Sequence, residues 1–485
     1  MWPDRATAPS PAVFASLADE LQQRHSALPP ALAASLLKQS ASVATHRRFF
    51  HWMLKFPEVY FDESGKPLSN PGFDAVLGNP PWDMLRADCG EKPFFRHSGI
   101  YRHQGGGHIN RYQLFVERAL MLARRGGRIG VVLPSGFATD HTAAPLRRRL
   151  LTHSSVDTIS GFDNRKAIFP IHRSVRFMIC TSTVGAPTSQ IACRFGIDDP
   201  AMLEGIPDVG DRADNPTHPI TLTPTLLAAL AGDALAIPEL RSEADVGILE
   251  GIVHRVPRLG DADGWSVRFG RELNATDDRP HFHAGRTGLP VLEGKHIEPF
   301  RVHLARTGTR IDEKDATRLL DATATFMRPR LAYRDVASST NRLSLIAAIL
   351  PAGVVTTHSL FCLKTRLAGD NQAFLCGMLN SFVANYLVRQ VMTTHLGSST
   401  VERLRVPRLP YDAPWFVEVV ELARALERGA SDSAHARLQA LAARCYGLSA
   451  ADFEHVLRTF PLVPEADRAA AMAEFMTLSE TCGSA

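Results

Sequence analysis

The chain has 485 residues, 45% hydrophobic and 21% charged, a composition that allows two to four domains with real cores. Its net charge of +4 and pI near 8.7 permit a polyanionic partner without demanding one. Seven cysteines stand singly, with neither a C-x-x-C pair nor zinc-type spacing. No apolar run approaches the ~20 residues that span a bilayer, and no secretory leader opens the chain, so a zinc module and a membrane anchor are not expected and a cytoplasmic location is.

In chain order, residues 1–72 read as a helical lead-in: Val13 to Trp52 carries apolar residues at helical spacing, interrupted at Pro29-Pro30. FDAVLG, Phe73 to Gly78, is an apolar strand that runs straight into Asn79-Pro80-Pro81-Trp82. The segment YQLFVERALMLARRGG predicts a helix stopped by Gly-Gly, with the strand RIGVVLPS after it. Further strands are expected at VDTISGF and VRFMICTSTV. Strand, long connection, helix and strand in succession is the pattern of a parallel α/β sheet, assigned here to residues 73–190. Residues 191–244, rich in Asp, Pro and Thr, read as a connector; 245–410 as a mixed α/β domain; 411–485 as a helical segment.

The two prolines stop the strand, so its end becomes a rigid loop at the carboxyl edge of a sheet, where ligand sites in open α/β folds lie. The exocyclic amine of adenine is a poor nucleophile because its lone pair is delocalised into the ring. An enzyme that alkylates it must offer both N–H groups an acceptor. The side-chain oxygen of Asn79 and the carbonyl of Pro80 suit that task, Pro81 stiffens the loop, and Trp82 offers a flat face for a base swung out of a duplex. A rigid Pro-Pro turn beside a core Trp is the plainer alternative.

GFDAVLGNPPW closely resembles the catalytic motif of the S-adenosylmethionine-dependent N6-adenine DNA methyltransferases, Asn/Asp-Pro-Pro followed by an aromatic. FHWMLKFPEVYF before it, INRYQLFVERALMLARRGGRIGVVLPSGF after it and GFDNRKAIFPIHRSVRFM further on resemble the methyltransferase part of type IIG restriction-modification enzymes and related phage-defence methyltransferases, with a resemblance running from about residue 46 to about 465. That resemblance implies roles for Asn79, Pro80 and Trp82 as above, with Trp where the family more often has Tyr or Phe. It also implies that Phe169 packs against the extruded base, and that double-stranded DNA is the partner.

The resemblance further implies S-adenosylmethionine held by a glycine-rich loop well ahead of Asn-Pro-Pro. Residues 1–78 contain no such loop, and Gly105 to Gly107 follow the motif without an apolar strand before them. The expected sheet is therefore an incomplete Rossmann-like one. A partner chain carrying the earlier strands, a shortened gene or a misplaced start codon would each account for it, and FDAVLG would then be an exposed edge. Nuclease activity is not expected.

Residues 245–410 resemble the family's target-recognition region, in LPVLEGKHIEPF, RPRLAYRDVASSTNRLSLIAAILPAGVVTTHSLF and LNSFVANYLVRQ. Lys295, Arg328, Arg330, Arg334 and Arg342, with Ser338, Ser339 and Thr340, offer donors to phosphates and base edges, Lys295 and Arg334 foremost. Some of these are expected to be surface charges or buried ion pairs. Arg147-Arg148-Arg149 and Arg124-Arg125 read as solvated charges near helix ends. The alternatives to an adenine methyltransferase are a DNA-recognition subunit or truncated remnant without catalysis, and an enzyme methylating a protein glutamine amide.

Overall fold

A computed structural model describes residues 10–23, 28–85, 92–106, 108–204, 218–320, 325–335, 342–391 and 396–481. The chain is a mixed α/β protein and falls into two compact units. The first comprises residues 1–133, 149–156 and 180–187; the second comprises 134–148, 157–179 and 188–485.

In the first unit, helices Pro11–Gln23 and Pro30–Arg47 pack through Leu17, Ala33 and Leu36. Pro30 suits the first helical position, where a missing N–H costs nothing, and Arg48 ends that helix in the left-handed conformation. Strand β1, Phe73–Gly78, pairs in parallel with β2, Ala123–Pro134, and lies at the end of its sheet. Helix Arg111–Leu122 connects back to β2, so the expected strand, connection, helix and strand are present.

The Gly-Gly pair does something other than stop that helix. The helix ends at Leu122 and Ala123 already pairs with Phe73; the register then slips between Phe73 and Ala75, opposite Gly126-Gly127. Gly126 has φ of +79°, and a Cβ on Gly127 would sit 2.8 Å from the carbonyl oxygen of Phe73. The glycines make a bulge in the ladder, which only residues without a side chain allow at this spacing. Asn70 locks the approach to β1 there, donating from Nδ2 to the Arg125 carbonyl (2.9 Å) and accepting the Arg125 N–H at Oδ1 (3.0 Å).

In the second unit, β3 (Ser154–Asp163, shared along the chain between the units) pairs in parallel with β5 (Ile191–Ile197), and β5 pairs antiparallel with β6 (Ile220–Leu222). Strand β4, Arg176–Val184, comes between β3 and β5 in sequence. Residues 191–244, expected as a connector, thus contribute two sheet strands. Arg147, expected as a solvated charge, is instead fully buried: its guanidinium donates to the carbonyls of Phe137 (2.7 Å), Asp140 (2.8 Å) and Ala234 (2.8 and 3.1 Å). Arg148 also donates to a carbonyl, that of Asp233 (2.7 Å). Both arginines spend their donors on backbone carbonyls, which is how a buried guanidinium is kept satisfied.

The remainder of that unit carries short strands: β7 Phe269–Gly270, β8 Phe282–Ala284, β9 Leu289–Leu292, β10 Ile297–Glu298, β11 Arg301–Val302, β12 Thr309–Ile311, β13 Arg330–Arg334, β14 Ala347–Leu350, β15 Val355–Thr356 and β16 Leu360–Leu363. They form two four-stranded sheets, β15-β9-β12-β8 and β14-β13-β16-β7, and the small pair β10-β11. Helices Gly369–Leu379, Phe382–Val391, Pro414–Glu427, Asp432–Cys445, Ala450–Arg458 and Glu465–Thr481 follow. Buried amides tie these helices to the backbone of and beside the strands. Asn385 Oδ1 accepts from the N–H groups of Ser344 and Leu345 (2.8 Å each), Asn380 Oδ1 from Ala347 (3.0 Å) and Gln372 Oε1 from Leu331 (2.8 Å). Among the described residues, no helix is long and apolar enough to cross a membrane.

Candidate active site

The loop after β1 is held at three points within the first unit. Trp82, half-buried, donates its indole N–H to the Val132 carbonyl of β2 (3.4 Å). The Asp83 carbonyl accepts the Arg111 N–H (3.0 Å), while its carboxylate pairs with the Arg111 guanidinium (3.2 Å). The Leu85 N–H donates to Ile109 (2.9 Å), and Leu85 packs with Ile109 and Leu114. Pro80 is buried; Asn79 and Pro81 are exposed. Among the described residues, the Asn79 side chain has no hydrogen-bond partner, which leaves its amide oxygen open to an incoming donor.

Glu117, on the helix ahead of β2, braces the neighbouring segment. Buried to 1% exposure, its carboxylate accepts the N–H groups of Arg102 (2.5 Å) and His103 (3.1 Å) and the side-chain amide of Gln104 (2.8 Å). Gly105 and Gly106 follow in irregular chain, and Gly107 lies outside the described residues. Among the described residues, no glycine-rich turn follows a strand ahead of Asn79.

Phe169 belongs to the second unit. Its ring lies 4.6 Å from Phe177, which stacks on Phe162 at 4.8 Å. The turn that carries it is built by Asn164, fully buried. Asn164 Oδ1 accepts the Phe169 N–H (2.9 Å), and Nδ2 donates to the carbonyls of Phe169 (3.2 Å), Ile171 (3.4 Å) and His172 (3.5 Å). Ala167 takes a left-handed φ of +59° within that turn. Neither Glu117 nor Asn164 was singled out from sequence. Glu117 carries one signal, a charge among the apolar positions of a helix, while Asn164 stands among charged neighbours and carries none.

The basic candidates of residues 245–410 occupy different environments. Arg330 is buried at 1% exposure against Glu272 at 0%, with Nη2–Oε2 at 2.8 Å and Nε–Oε1 at 2.9 Å. Thr356 donates its N–H and hydroxyl to the same carboxylate (2.9 and 3.0 Å). Arg330 is therefore a core ion pair and is withdrawn from any ligand. Arg334 is half-buried and gives Nη2 to the Ile297 carbonyl; burial lowers its pKa from the usual arginine value. Lys295, 71% exposed, pairs with Glu293 at 2.6 Å, and Arg342 pairs with Asp467 at 3.0 Å. Arg328 donates Nη2 to the Lys364 (3.0 Å) and Thr365 (3.4 Å) carbonyls. Ser338, Ser339 and Thr340 lie outside the described residues.

One further constellation joins distant helices. Asp245, in a capping box with Ser242, accepts from Tyr386 Oη (2.6 Å) and contacts His455 Nε2 (2.8 Å). Burial pushes its pKa up, but the hydrogen bonds from Tyr386, His455, the Arg241 N–H and Ser242 outweigh this and hold it below the ordinary 3.8.

Residues 15–169 match the Eco57I restriction-modification methylase family, about a third of the chain. A type II restriction enzyme and methyltransferase of Methanocaldococcus jannaschii is 25% identical over 103 residues, 21% of this chain and 8% of that protein. Among solved structures, the type IIL restriction-modification enzyme MmeI in complex with DNA aligns with a TM-score of 0.44 and 12% identity, covering 84% of this chain and 57% of that one. The type IIG restriction endonuclease BpuSI aligns with a TM-score of 0.34 and 14% identity, covering 83% and 53%. The chain spans about half the length of those two structures and a small fraction of the archaeal relative. The matched stretch, residues 15–169, takes in both the Asn-Pro-Pro-Trp loop and Phe169.

Proposed function

We propose that this chain is the catalytic-loop and target-recognition part of a DNA methyltransferase acting on the N6 amine of adenine, with S-adenosylmethionine as methyl donor, in a restriction-modification system. The observation that carries this is the braced loop after β1, with Asn79 open and Trp82 tethered to β2. Asn79 Oδ1 and the Pro80 carbonyl accept the two amine hydrogens, drawing the nitrogen towards tetrahedral geometry and localising its lone pair. Trp82 stacks on the base. The amine loses its proton after attack, so no side chain with a shifted pKa is needed.

The described residues do not by themselves fit S-adenosylmethionine: no glycine-rich turn follows a strand ahead of Asn79, and β1 is paired with β2 alone. Leu77 on β1 is 80% exposed. A strand so placed, with a row of free backbone groups and apolar side chains in water, favours a further polypeptide segment pairing on that edge and supplying the cofactor cradle. Calorimetric titration tests this. S-adenosylmethionine is expected to bind tightly only once a segment carrying the earlier strands is supplied, and the product of an adjacent upstream reading frame is the segment to titrate. Binding to neither preparation would remove the methyltransferase reading in favour of a recognition subunit.

A further inference from the structure

Four cations from three separate segments meet on one face of the second unit, around the end of β16. The Lys364 N–H donates to the Arg268 carbonyl (2.8 Å), the Arg268 N–H donates to Thr365 Oγ1 (2.9 Å), and Arg328 Nη2 donates to the carbonyls of Lys364 and Thr365. Lys364 lies flat across Gly270, whose absent Cβ would come within 2.9 Å of the lysine Cε. Arg268 is anchored through Nη1 on the Gly260 (2.6 Å) and Val267 (2.8 Å) carbonyls, with 63% of its side chain exposed. Arg366 is exposed, and among the described residues the side chains of Lys364 and Arg366 have no carboxylate partner.

Among the described residues, the one carboxylate bordering the group in an ion pair is Glu402, 3.9 Å from Arg268 Nη1 and already accepting the Phe269 N–H at 2.8 Å. Burial, then the charges of Arg366 and Arg330, push the Arg328 pKa down, a sign of crowding that a bound polyanion would relieve. Arginines fixed on carbonyls and a lysine fixed over a glycine hold their charges at set positions. Solvated surface cations such as Lys295, bound to its own neighbour Glu293, lack that arrangement.

We propose that Arg268, Arg328, Lys364 and Arg366 form a backbone-phosphate contact site for duplex DNA. This rests on the DNA-methyltransferase reading and locates the non-specific part of its DNA grip. Phosphate contacts release counterions, so affinity falls linearly with salt on a logarithmic scale with a slope near one per contact.

The test measures affinity of the full chain for two 24-base-pair duplexes of unrelated sequence across a salt series, by fluorescence anisotropy. The double variant Lys364→Gln/Arg366→Gln is expected to reduce the salt slope by about 2 and to weaken binding roughly tenfold at low salt, equally for both duplexes. The swap Lys364→Arg/Arg366→Lys is expected to keep the slope, and Lys314→Gln, an exposed lysine elsewhere in the unit, to leave it unchanged. If the wild-type chain binds with a steep slope and the double variant keeps it, the site is refuted and the DNA reading stands. A loss confined to one duplex would mean base reading and would refute a phosphate role. Wild-type binding that does not respond to salt would remove the DNA reading itself.

Discussion

β1 and β13 are both short apolar strands, FDAVLG and RLAYR, yet they live in opposite surroundings. β13 is hydrogen-bonded on both sides, to β14 and β16, and Arg330 to Tyr333 are buried. Among the described residues, β1 is bonded to β2 alone, and within β1 only Phe73 and Val76 are even half-buried. Phe73 sits at the centre of an aromatic cluster with Trp52, Phe56 and Tyr60, while Leu77 and Leu54 of the same unit are 80% and 78% exposed. An apolar strand states a demand for neighbours; it does not show that the chain meets that demand. Among the described residues, β13 has a strand on each side and β1 on one.

The largest contrast is expected where exposure is functional. Asn79→Ala should lower methyl transfer by at least about 100-fold, the scale of losing a fixed hydrogen-bonding group at a reaction centre. The thermal midpoint and DNA affinity should be unchanged because Asn79 is exposed and unbonded; a parallel fall in stability would make it a structural residue instead. In the closed region the order reverses. Glu272→Ala strands the buried Arg330 charge and should destabilise the second unit by roughly 3–5 kcal/mol in denaturant titration. Recovery in Glu272→Ala/Arg330→Met would show that the pair, not the site, carries the cost.

Asn164→Ala should cost about 1–3 kcal/mol, since it unpairs a buried turn. Its activity should fall through substrate affinity if Phe169 contacts the base, and a pure stability loss would deny Phe169 that role. Asp245 adds a pH dependence with a defined sign. Its folded pKa lies below the ordinary 3.8, so the stability it contributes is fully present above that value and is lost as pH falls through the folded pKa. Asp245→Asn should therefore flatten the acid limb of a stability–pH curve below about pH 4, and an unchanged limb would exclude this carboxylate as its source. Smallest of all, Leu77→Lys should leave the chain folded while reducing self-association measured by light scattering, as a charge does on an open edge.

The loop after β1 was legible because its signal is local: an apolar strand, two prolines and an aromatic occupy ten consecutive residues. The edge position of β1 was legible for a related reason, since no strand of the expected kind precedes it. Gly126-Gly127 was misread because two local rules compete there; glycine after a helical pattern signals a stop, and only the pairing with β1 reveals a bulge. Arg147, Arg330, Glu117 and Asn164 were hidden by the same physics. Whether a polar residue is solvated or buried against carbonyls, a carboxylate or amides depends on segments up to 87 residues away, as between Arg147 and Ala234. The cluster of Arg268, Arg328, Lys364 and Arg366 is assembled from three such segments and has no signature in any one window.

In the proposed function the Asn79 loop presents adenine for methylation. It is tested most directly by mass spectrometry of nucleosides from duplex DNA incubated with S-adenosylmethionine and the chain, with and without the upstream gene product. N6-methyladenine is expected in the presence of the upstream product and is expected to be abolished by Asn79→Ala. Methylation that survives Asn79→Ala, or a methyl group found on another base, would contradict it.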